Sequence, residues 1–322
     1  MENRSNREND NKKPERLRVL DGNSNQQDGN SNQQNDSANS QGENAGPPSG
    51  GALDLNEEQQ EQVRKRTAPP AAVVYEAIRR EGEEELCRPT SALAWSGLAA
   101  GLSMGFSMVA EGLLRASLPD EPWTPLIARL GYSVGFLIVI LGRQQLFTEN
   151  TLTPILPLMK RRDSATFWQV LRLWGVVLLA NLVGAFIFAW VVGNTGVFEP
   201  HVKSQFTELG RHALGSDFFN TLLRGVFAGW LIALMVWLLP AAQAARVSII
   251  VIITFLVGLA GLAHIIAGSV EVLYLVTTGQ ESILTYFLSF MLPALLGNIL
   301  GGTALVAALN HAQVVSGDET RQ

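Results

Sequence analysis

Asn181-Leu182-Val183-Gly184-Ala185 lies inside one long apolar segment of this sequence, and Asn298-Ile299-Leu300-Gly301-Gly302 lies inside another, 117 residues later. Asparagine and glycine at matching places in two apolar segments indicate a membrane protein built from two related halves. The asparagines are suited to hydrogen bonds between helices, and the glycines let helices approach closely. We interpret these residues as structural marks of a repeat, and we expect the two asparagines to pair across the halves.

The same separation relates two polar interruptions of the apolar sequence. Phe147-Thr148, near the end of one apolar segment, corresponds to His264-Ile265, in the middle of another. Polar side chains and irregular backbone persist at membrane depth only where protein or a cavity surrounds them. Matching interruptions in two halves therefore predict a channel or transporter whose solute passes these positions.

Polar and apolar residues are divided between different parts of the 322-residue chain. Residues 1–68 are rich in Asn, Gln, Ser, Gly and charge, so we expect a disordered cytoplasmic tail. Residues 69–90 predict an amphipathic helix near the membrane surface, 91–310 a six-span domain and 311–322 a short tail. The net charge is -5, and no basic patch with interleaved aromatics points to nucleic acid. The single cysteine, Cys87, excludes an intrachain disulfide.

Six segments reach the ~20 apolar residues that a membrane-crossing helix needs. They cover approximately residues 92–114, 125–159, 167–192, 218–239, 247–277 and 283–309. The second and fifth segments exceed one straight crossing and contain the polar interruptions, which predicts broken helices. Twelve of the 24 Lys and Arg residues precede the first span, and Lys160-Arg161-Arg162 follows the second. By the positive-inside rule we expect a multi-pass protein of the cytoplasmic (inner) membrane with both termini cytoplasmic.

His264 is an ionisable residue surrounded by apolar sequence in the fifth span. Desolvation disfavours its charged form, and histidine is the side chain that titrates near neutral pH. The functional interpretation is a proton donor or hydrogen-bond donor to a permeating solute. The alternative is a histidine satisfied by a backbone carbonyl at the helix break. Membrane depth favours the functional interpretation.

A second candidate cluster lies in the interruption of the second span. Leu146 and Phe147 predict an apolar constriction, and the Thr148 hydroxyl is suited to hold the solute. The alternative for Thr148 is that it caps the half-helix starting at Glu149, and the two roles are compatible. The polar run Arg143-Gln144-Gln145 cannot face lipid, so it either lines the path or packs on neighbouring helices.

Two arginines bear on which solutes could pass. Arg143 lies at the break, where its positive charge would favour anions, and the alternative is that its side chain snorkels to an interface. Arg224 lies a few residues from the start of the fourth span, and we favour the interpretation that it snorkels to the membrane interface. Arg143 is therefore the sequence's candidate for anion attraction.

In its motifs the chain resembles the formate/nitrite transporter family over about residues 71–308. The resemblance rests on four motifs in order: Leu146-Phe147-Thr148 in the second helix, Asn181-Leu182-Val183-Gly184-Ala185 in the third, His264 with Ala267 in the fifth, and Pro293 with Gly297-Asn298-Ile299-Leu300-Gly301-Gly302 in the sixth. It implies an all-α, aquaporin-like membrane protein with six transmembrane helices in two inverted three-helix repeats. It also implies a homopentamer in the lipid bilayer, with one pore per protomer for small monovalent anions. The family's central histidine, loop threonine and constriction then correspond to His264, Thr148, Leu146 and Phe147.

The chain departs from the family pattern at several positions. Gln145 stands where the family has an acidic residue before the loop, and Ala263 stands where it has one before the histidine. Gly268 replaces the family's asparagine after the histidine, and Gly229 replaces the one in the fourth helix. Without a neighbouring carboxylate, His264 loses one means of stabilising its protonated form. We therefore expect a divergent member whose substrate can differ from formate.

The functional hypothesis is transport of small monovalent anions, with a proton supplied by His264 or carried with the solute. The alternative is a channel for neutral solutes or protonated weak acids on the same scaffold, although the paired Asn-Pro-Ala motif of aquaporins is absent. An intramembrane enzyme is disfavoured, because the sequence has no His-Glu-x-x-His pair and no paired intramembrane aspartates. We expect no cofactor and no metal ion.

Overall fold

The computed structural model describes residues 55–67 and 69–319, and within these ranges all regular structure is helical. The helices, in chain order, are α1 Glu57–Arg66, α2 Ala71–Cys87, α3 Thr90–Ser117, α4 Thr124–Leu141, α5 Ile155–Arg161, α6 Ser164–Asn194, α7 Pro200–Leu214, α8 Phe218–Leu238, α9 Arg246–Leu259, α10 Ile265–Thr277 and α11 Ile283–Gln313. A 3-10 turn at Arg129–Tyr132 lies inside α4, and the helical turns of Ala308–Glu319 begin within α11 and extend past its end.

Five of these helices are long and apolar enough to cross a membrane, namely α3, α4, α6, α8 and α11. The two remaining apolar helices are shorter: α9 has 14 residues and α10 has 13, and the chain breaks between them at 260–264. A second break, at 142–148, separates α4 from the 3-10 turn Glu149–Thr151 and α5. The predicted all-α membrane protein with a broken second and a broken fifth helix is confirmed.

The two halves of the fold each contain a close helix crossing made by glycine. Gly101 of α3 lies against the backbone carbonyl of Asn181 in α6, and Gly229 of α8 lies against that of Asn298 in α11. A Cβ atom at either glycine would overlap the facing carbonyl. Helices approach this closely only where small residues face each other. Gly229 is therefore a contact in which no side chain fits, and an asparagine could not stand there without moving α11.

The helix α11 is irregular on both sides of its centre. Tyr286–Met291 and Leu300–Ala307 are π-helical, and they flank the α-helical turns Leu292–Ile299. Pro293 lacks the backbone N–H that would bond the preceding turn, which accounts for a wider turn before it. The sixth span predicted over 283–309 is thus one continuous run of helical turns with local changes of pitch.

The segments before α3 differ from the sequence-based expectation. Glu57–Arg66 is helical, although it belongs to the tail expected to be disordered. Its first turn contains Glu57 and Glu58, where the helix dipole favours acidic residues. The rest of that predicted tail, residues 1–54 and Ala68, lies outside the described part of the chain, as do residues 320–322.

The helix α2 is amphipathic, as expected, but its apolar side packs on protein. Ile78 and Leu86 are buried, and Gly82 lies against the backbone carbonyl of Thr153, just before α5. Arg79 makes a short ion pair with Glu83 on the next turn. α2 therefore covers the region of the first break, where sequence alone predicted a helix near the membrane surface.

Candidate functional site

One buried asparagine, Asn181, stabilises the non-helical backbone of the first break. After Leu141 the chain turns through Arg143, whose backbone adopts the left-handed conformation (φ 49°), and continues without helical bonds to Thr148. Asn181 Oδ1 accepts the backbone N–H of Phe147 at 2.9 Å. Asn181 Nδ2 donates to the carbonyl of Gln145 at 2.9 Å and to that of Gly97 in α3 at 2.7 Å. The non-helical backbone thus finds hydrogen-bond partners without water.

Asn298 performs the same task at the second break. Its Oδ1 accepts the backbone N–H of Ile265 at 2.9 Å, and its Nδ2 donates to the carbonyls of Ala263 at 2.8 Å and Gly225 at 2.9 Å. Each asparagine therefore joins three backbone groups of its own half. The expectation that Asn181 and Asn298 pair with each other is wrong, because both amides are engaged by the backbone of the breaks.

The two breaks meet at a hydrogen bond between Thr148 and His264. Thr148 Oγ1 lies 2.8 Å from His264 Nε2, and both side chains are buried. His264 Nδ1 accepts the backbone N–H groups of Ile266 at 3.3 Å and Ala267 at 3.2 Å, so the ring caps the start of α10. An acceptor at Nδ1 places the ring proton of neutral histidine on Nε2, which then donates to Thr148 Oγ1.

This geometry shows how the two side chains are bonded. The His264 ring bonds backbone N–H groups and the Thr148 hydroxyl, whereas the sequence-based alternative invoked a backbone carbonyl. The Thr148 side chain makes no capping bond to the 3-10 turn that starts at Glu149. Both side chains are therefore directed at each other across the meeting point of the two breaks.

Aromatic and aliphatic side chains surround the Thr148–His264 pair. Phe136 meets the His264 ring edge-on, with 4.9 Å between ring centroids, and Phe147 meets Trp174 in the same manner at 5.9 Å. Leu146 and Phe147 are 0% and 1% exposed. The predicted constriction residues thus belong to a closed apolar layer.

A large cavity lies on one side of this layer, and we call it the Arg143 cavity. It measures about 540 Å³ and is bounded by α2, the first break and the start of α9. Arg143 is exposed there, 3.8 Å from Glu81, so its charge faces a carboxylate. Glu85 also lines this cavity, and burial raises the pKa of its carboxyl group. The predicted anion attractor Arg143 is therefore at a cavity mouth, with acidic residues as neighbours.

A smaller cavity lies on the other side, and we call it the Arg224 cavity. It measures about 30 Å³, and its wall includes His264, Arg129, His212, Arg224 and Glu271. Leu146, Phe147 and Thr148 line neither cavity, and all three are buried. The two cavities are thus separated by this layer and by the Thr148–His264 pair.

The position of Arg224 contradicts the interpretation that it snorkels to a membrane interface. Arg224 precedes Gly225, whose carbonyl is bonded by Asn298 at the second break. Its side chain lines the cavity that ends at His264. Arg224, and not the start of α8 at Phe218, is therefore level with the break, and its side chain faces this cavity.

Sequence reasoning missed three residues of the Arg224 cavity. They come from three separate elements: Arg129 from α4, His212 from α7 and Glu271 from α10. One signal was available, because Arg129 and Arg246 are 117 residues apart, the separation of the other repeat positions. Arg246 lines the Arg143 cavity, so the repeat places one arginine at each cavity.

Gly268, one departure from the family pattern, also faces the Arg224 cavity. A Cβ atom at this position would overlap the ring of Phe290. The space that an asparagine side chain would need is thus occupied by Phe290. Gln145, another departure, accepts a hydrogen bond from Asn150 Nδ2 at 2.9 Å, so it is integrated into the wall of the first break.

Apolar spanning helices, two broken helices and a buried polar pair between two cavities define a multi-pass membrane protein of the channel or transporter class. The family model described as "Formate/nitrite transporter" matches residues 72–312, and the chain belongs to this family. Its members are transporters and channels, not enzymes.

Relatives and solved structures agree with this assignment. The chain is 41% identical over 268 residues to "Inner membrane protein YfdC" of Escherichia coli (strain K12), covering 81% of this chain and 86% of the relative. A solved structure of a "Pentameric formate channel with formate bound" is 20% identical, with a TM-score of 0.58 over 74% of this chain and 99% of that one. Another, of an "FNT family ion channel", is 17% identical, with a TM-score of 0.63 over 76% and 98%. These structural likenesses show the fold.

Proposed function

We propose that the chain conducts small monovalent anions, formate-like or nitrite-like, between the Arg224 cavity and the Arg143 cavity. The observation that carries the proposal is the Thr148–His264 hydrogen bond, which joins the two breaks in the layer between the cavities. A solute that crosses this layer must pass Leu146 and Phe147, and it can replace Thr148 as the partner of His264 Nε2. The likeness of the fold to a channel with formate bound supports the class of solute.

His264 acts in this proposal as a hydrogen-bond donor. Protonating the ring would require Nδ1 to give up the two backbone N–H groups that it accepts, and it would place positive charge at the N-terminus of α10. The neutral ring with its proton on Nε2 keeps both sets of bonds. The proton linked to transport therefore enters with the solute rather than from His264.

A second candidate, a channel for neutral weak acids, is favoured by the dry layer itself. Moving a bare charge through a constriction without water is costly, whereas a protonated acid avoids that cost. The side chains of Leu146 and Phe147 offer only carbon to the solute, and the Phe147 N–H and the Leu146 carbonyl are already bonded. A protonated acid could still accept the Nε2 proton of His264 through its carbonyl oxygen.

The expected arrangement in the cell follows from charge and from relatives. We propose that the Arg143 cavity faces the cytoplasm with both termini, since Lys160 and Arg161 lie at the end of α5 on that side. An inner-membrane location is supported by the similarity to the inner membrane protein YfdC. A homopentamer with one pore per protomer is supported by the likeness to a pentameric formate channel.

Flux into liposomes that contain the purified protein tests the proposal. Labelled formate, nitrite and acetate are compared with thiocyanate, which stays ionised, and with glycerol, which is neutral. Uptake of formate and thiocyanate identifies an anion channel, and uptake of formate and acetate without thiocyanate identifies a weak-acid channel. Glycerol uptake without any anion uptake would contradict both.

A further inference from the structure

The Arg224 cavity contains charged groups that the proposed crossing at His264 does not use. Arg224 lines the cavity, and within the described residues no hydrogen bond or ion pair occupies its guanidinium group. Arg129, which also lines the cavity, is 8% exposed and is fixed by Glu111, whose carboxylate lies 2.9 Å from Nη1. One arginine is therefore held in place and the other is open to a ligand.

A buried carboxylate shares the same cavity. Glu271 is 7% exposed and lies on α10, two turns after His264. No hydrogen bond or ion pair to its carboxylate is found in 55–67 or 69–319. A polar side chain buried to this degree normally has a partner, because leaving it unpaired is costly. The unpaired carboxylate of Glu271 faces the same cavity as Arg224.

The surroundings of His212 show the sign of the local field. His212 lies on α7, between two spanning helices, and lines the cavity. Burial lowers the pKa of its imidazole, and the charges of Arg129, Arg115 and Arg224 lower it further. The charges that shift this pKa are cationic, so an anion would be stabilised at the His212 edge of the cavity.

We propose that Arg224, with Arg129 and His212, forms a binding site for a small oxyanion on the outer side of His264, and that Glu271 is the opposing charge that limits its affinity. The ligand class is a carboxylate or nitrite-like anion with two coplanar oxygens. A guanidinium group matches two such oxygens through parallel N–H donors, which a spherical anion cannot use. A cavity of about 30 Å³ holds about two water molecules, comparable to the smallest carboxylates.

This proposal rests on the proposed function only in assuming that a bound anion continues past His264. The test measures binding without flux, so it does not depend on transport. The test is a titration of the purified protein in detergent with 13C-formate, followed by the line width of the formate signal. The variants are Arg224→Gln, Arg224→Lys and Glu271→Gln. The control is Arg211→Gln, because Arg211 is exposed on the same helix as His212 and is 3.5 Å from Glu208.

The expected result is a loss of affinity of about tenfold or more in Arg224→Gln, since a charge-assisted hydrogen bond is removed. Arg224→Lys retains part of the affinity for formate and loses the preference for formate over chloride. Glu271→Gln binds formate more tightly than the unmodified protein, and Arg211→Gln binds it equally well.

Several results would overturn the site. They are an unmodified protein that does not bind formate, an Arg224→Gln protein that binds it undiminished, and a Glu271→Gln protein that binds it more weakly. Elution of each variant as the native oligomer is the check on folding, and Glu271→Gln keeps the test decisive if an Arg224 variant does not assemble. A protein that binds formate as expected but does not transport it would contradict the proposed function and leave this site standing.

Discussion

Thr148 Oγ1 and His264 Nε2 lie 2.8 Å apart, although 116 residues separate them in the chain. Each residue stands at the end of a break in its own half of the fold, and each break is fixed by an asparagine, Asn181 or Asn298. The hydrogen bonds of Asn181 and Asn298 to the two breaks therefore also fix the positions of Thr148 and His264. The Arg224 cavity reaches His264 at this contact, whereas Thr148 lines neither cavity.

Replacing Thr148 by valine tests the role of the hydroxyl group. Valine has nearly the same shape but cannot accept the Nε2 proton of His264, so that proton is left unpaired and a solute loses one partner. We expect formate flux to fall by about tenfold while the oligomer persists, because a net hydrogen bond is worth about 1 kcal/mol or more in a buried site. Thr148→Ser is the matched control and should retain flux. Equal flux in the valine variant would remove the hydroxyl from the mechanism.

Replacing either asparagine by leucine tests the support of the breaks. Asn181→Leu and Asn298→Leu each leave three buried backbone groups without a partner. We expect destabilisation by about 2 kcal/mol or more in each case, since unsatisfied buried groups cost about 1–3 kcal/mol apiece. The melting temperature of the solubilised protein measures this effect. A leucine variant as stable as the parent would show that the breaks do not depend on these amides.

The glycine crossing in the second half predicts a sharp contrast between two alanine variants. Gly229→Ala places a methyl group on the Asn298 carbonyl, whereas Gly175→Ala, also within a spanning helix, meets nothing within 4 Å. We expect Gly229→Ala to cost about 1–3 kcal/mol. Gly175→Ala should be neutral or stabilising by up to about 1 kcal/mol, because alanine favours the helix. Thermal unfolding of both proteins decides the matter, and equal stability would contradict the crossing.

The pH dependence of formate binding tests the field in the Arg224 cavity. The pKa of His212 is lowered from 6.5 by burial and by nearby arginines, so the free site holds a neutral imidazole at neutral pH. A bound anion favours the protonated ring and raises this pKa, so affinity for formate should increase as pH falls through the pKa that His212 has with the anion bound. His212→Asn should flatten this dependence between about pH 5 and about pH 8.

Other ionisable groups face the same cavity and must be separated from His212. Glu271, Tyr132 and His264 line it, and Glu111 is bound to Arg129 and Arg115. Protonation of Glu271 would also strengthen anion binding at low pH, so the measurement is repeated in Glu271→Gln. A pH dependence of the same size in His212→Asn would exclude His212 as its source, and its loss in Glu271→Gln would assign it to Glu271.

Much of the fold could be predicted because its signals are apolar segments and a regular separation, both of which can be recognised in the sequence itself. Long apolar segments indicated the spanning helices, and the separation of 117 residues related the two breaks and the two asparagines. The bonding partners of Asn181 and Asn298 could not be predicted, because they are backbone groups exposed only where a helix is interrupted.

The composition of the Arg224 cavity was beyond sequence reasoning for a similar reason. Arg129, His212, Arg224 and Glu271 lie on four helices, and only packing brings them to one wall. Arg224 was misplaced because its distance from the start of α8 was taken as depth in the membrane. The repeat between Arg129 and Arg246 was present in the sequence and would have pointed to the two cavities.

The most direct test of the central claim is formate uptake into proteoliposomes with an inward proton gradient, compared between His264→Ala and His201→Ala. His201 is an exposed histidine outside the spanning helices, so its variant controls for preparation and assembly. The account predicts that His201→Ala retains gradient-driven uptake and that His264→Ala loses most of it while keeping its oligomeric state. Undiminished uptake with the same gradient dependence in His264→Ala would contradict a path through the Thr148–His264 pair.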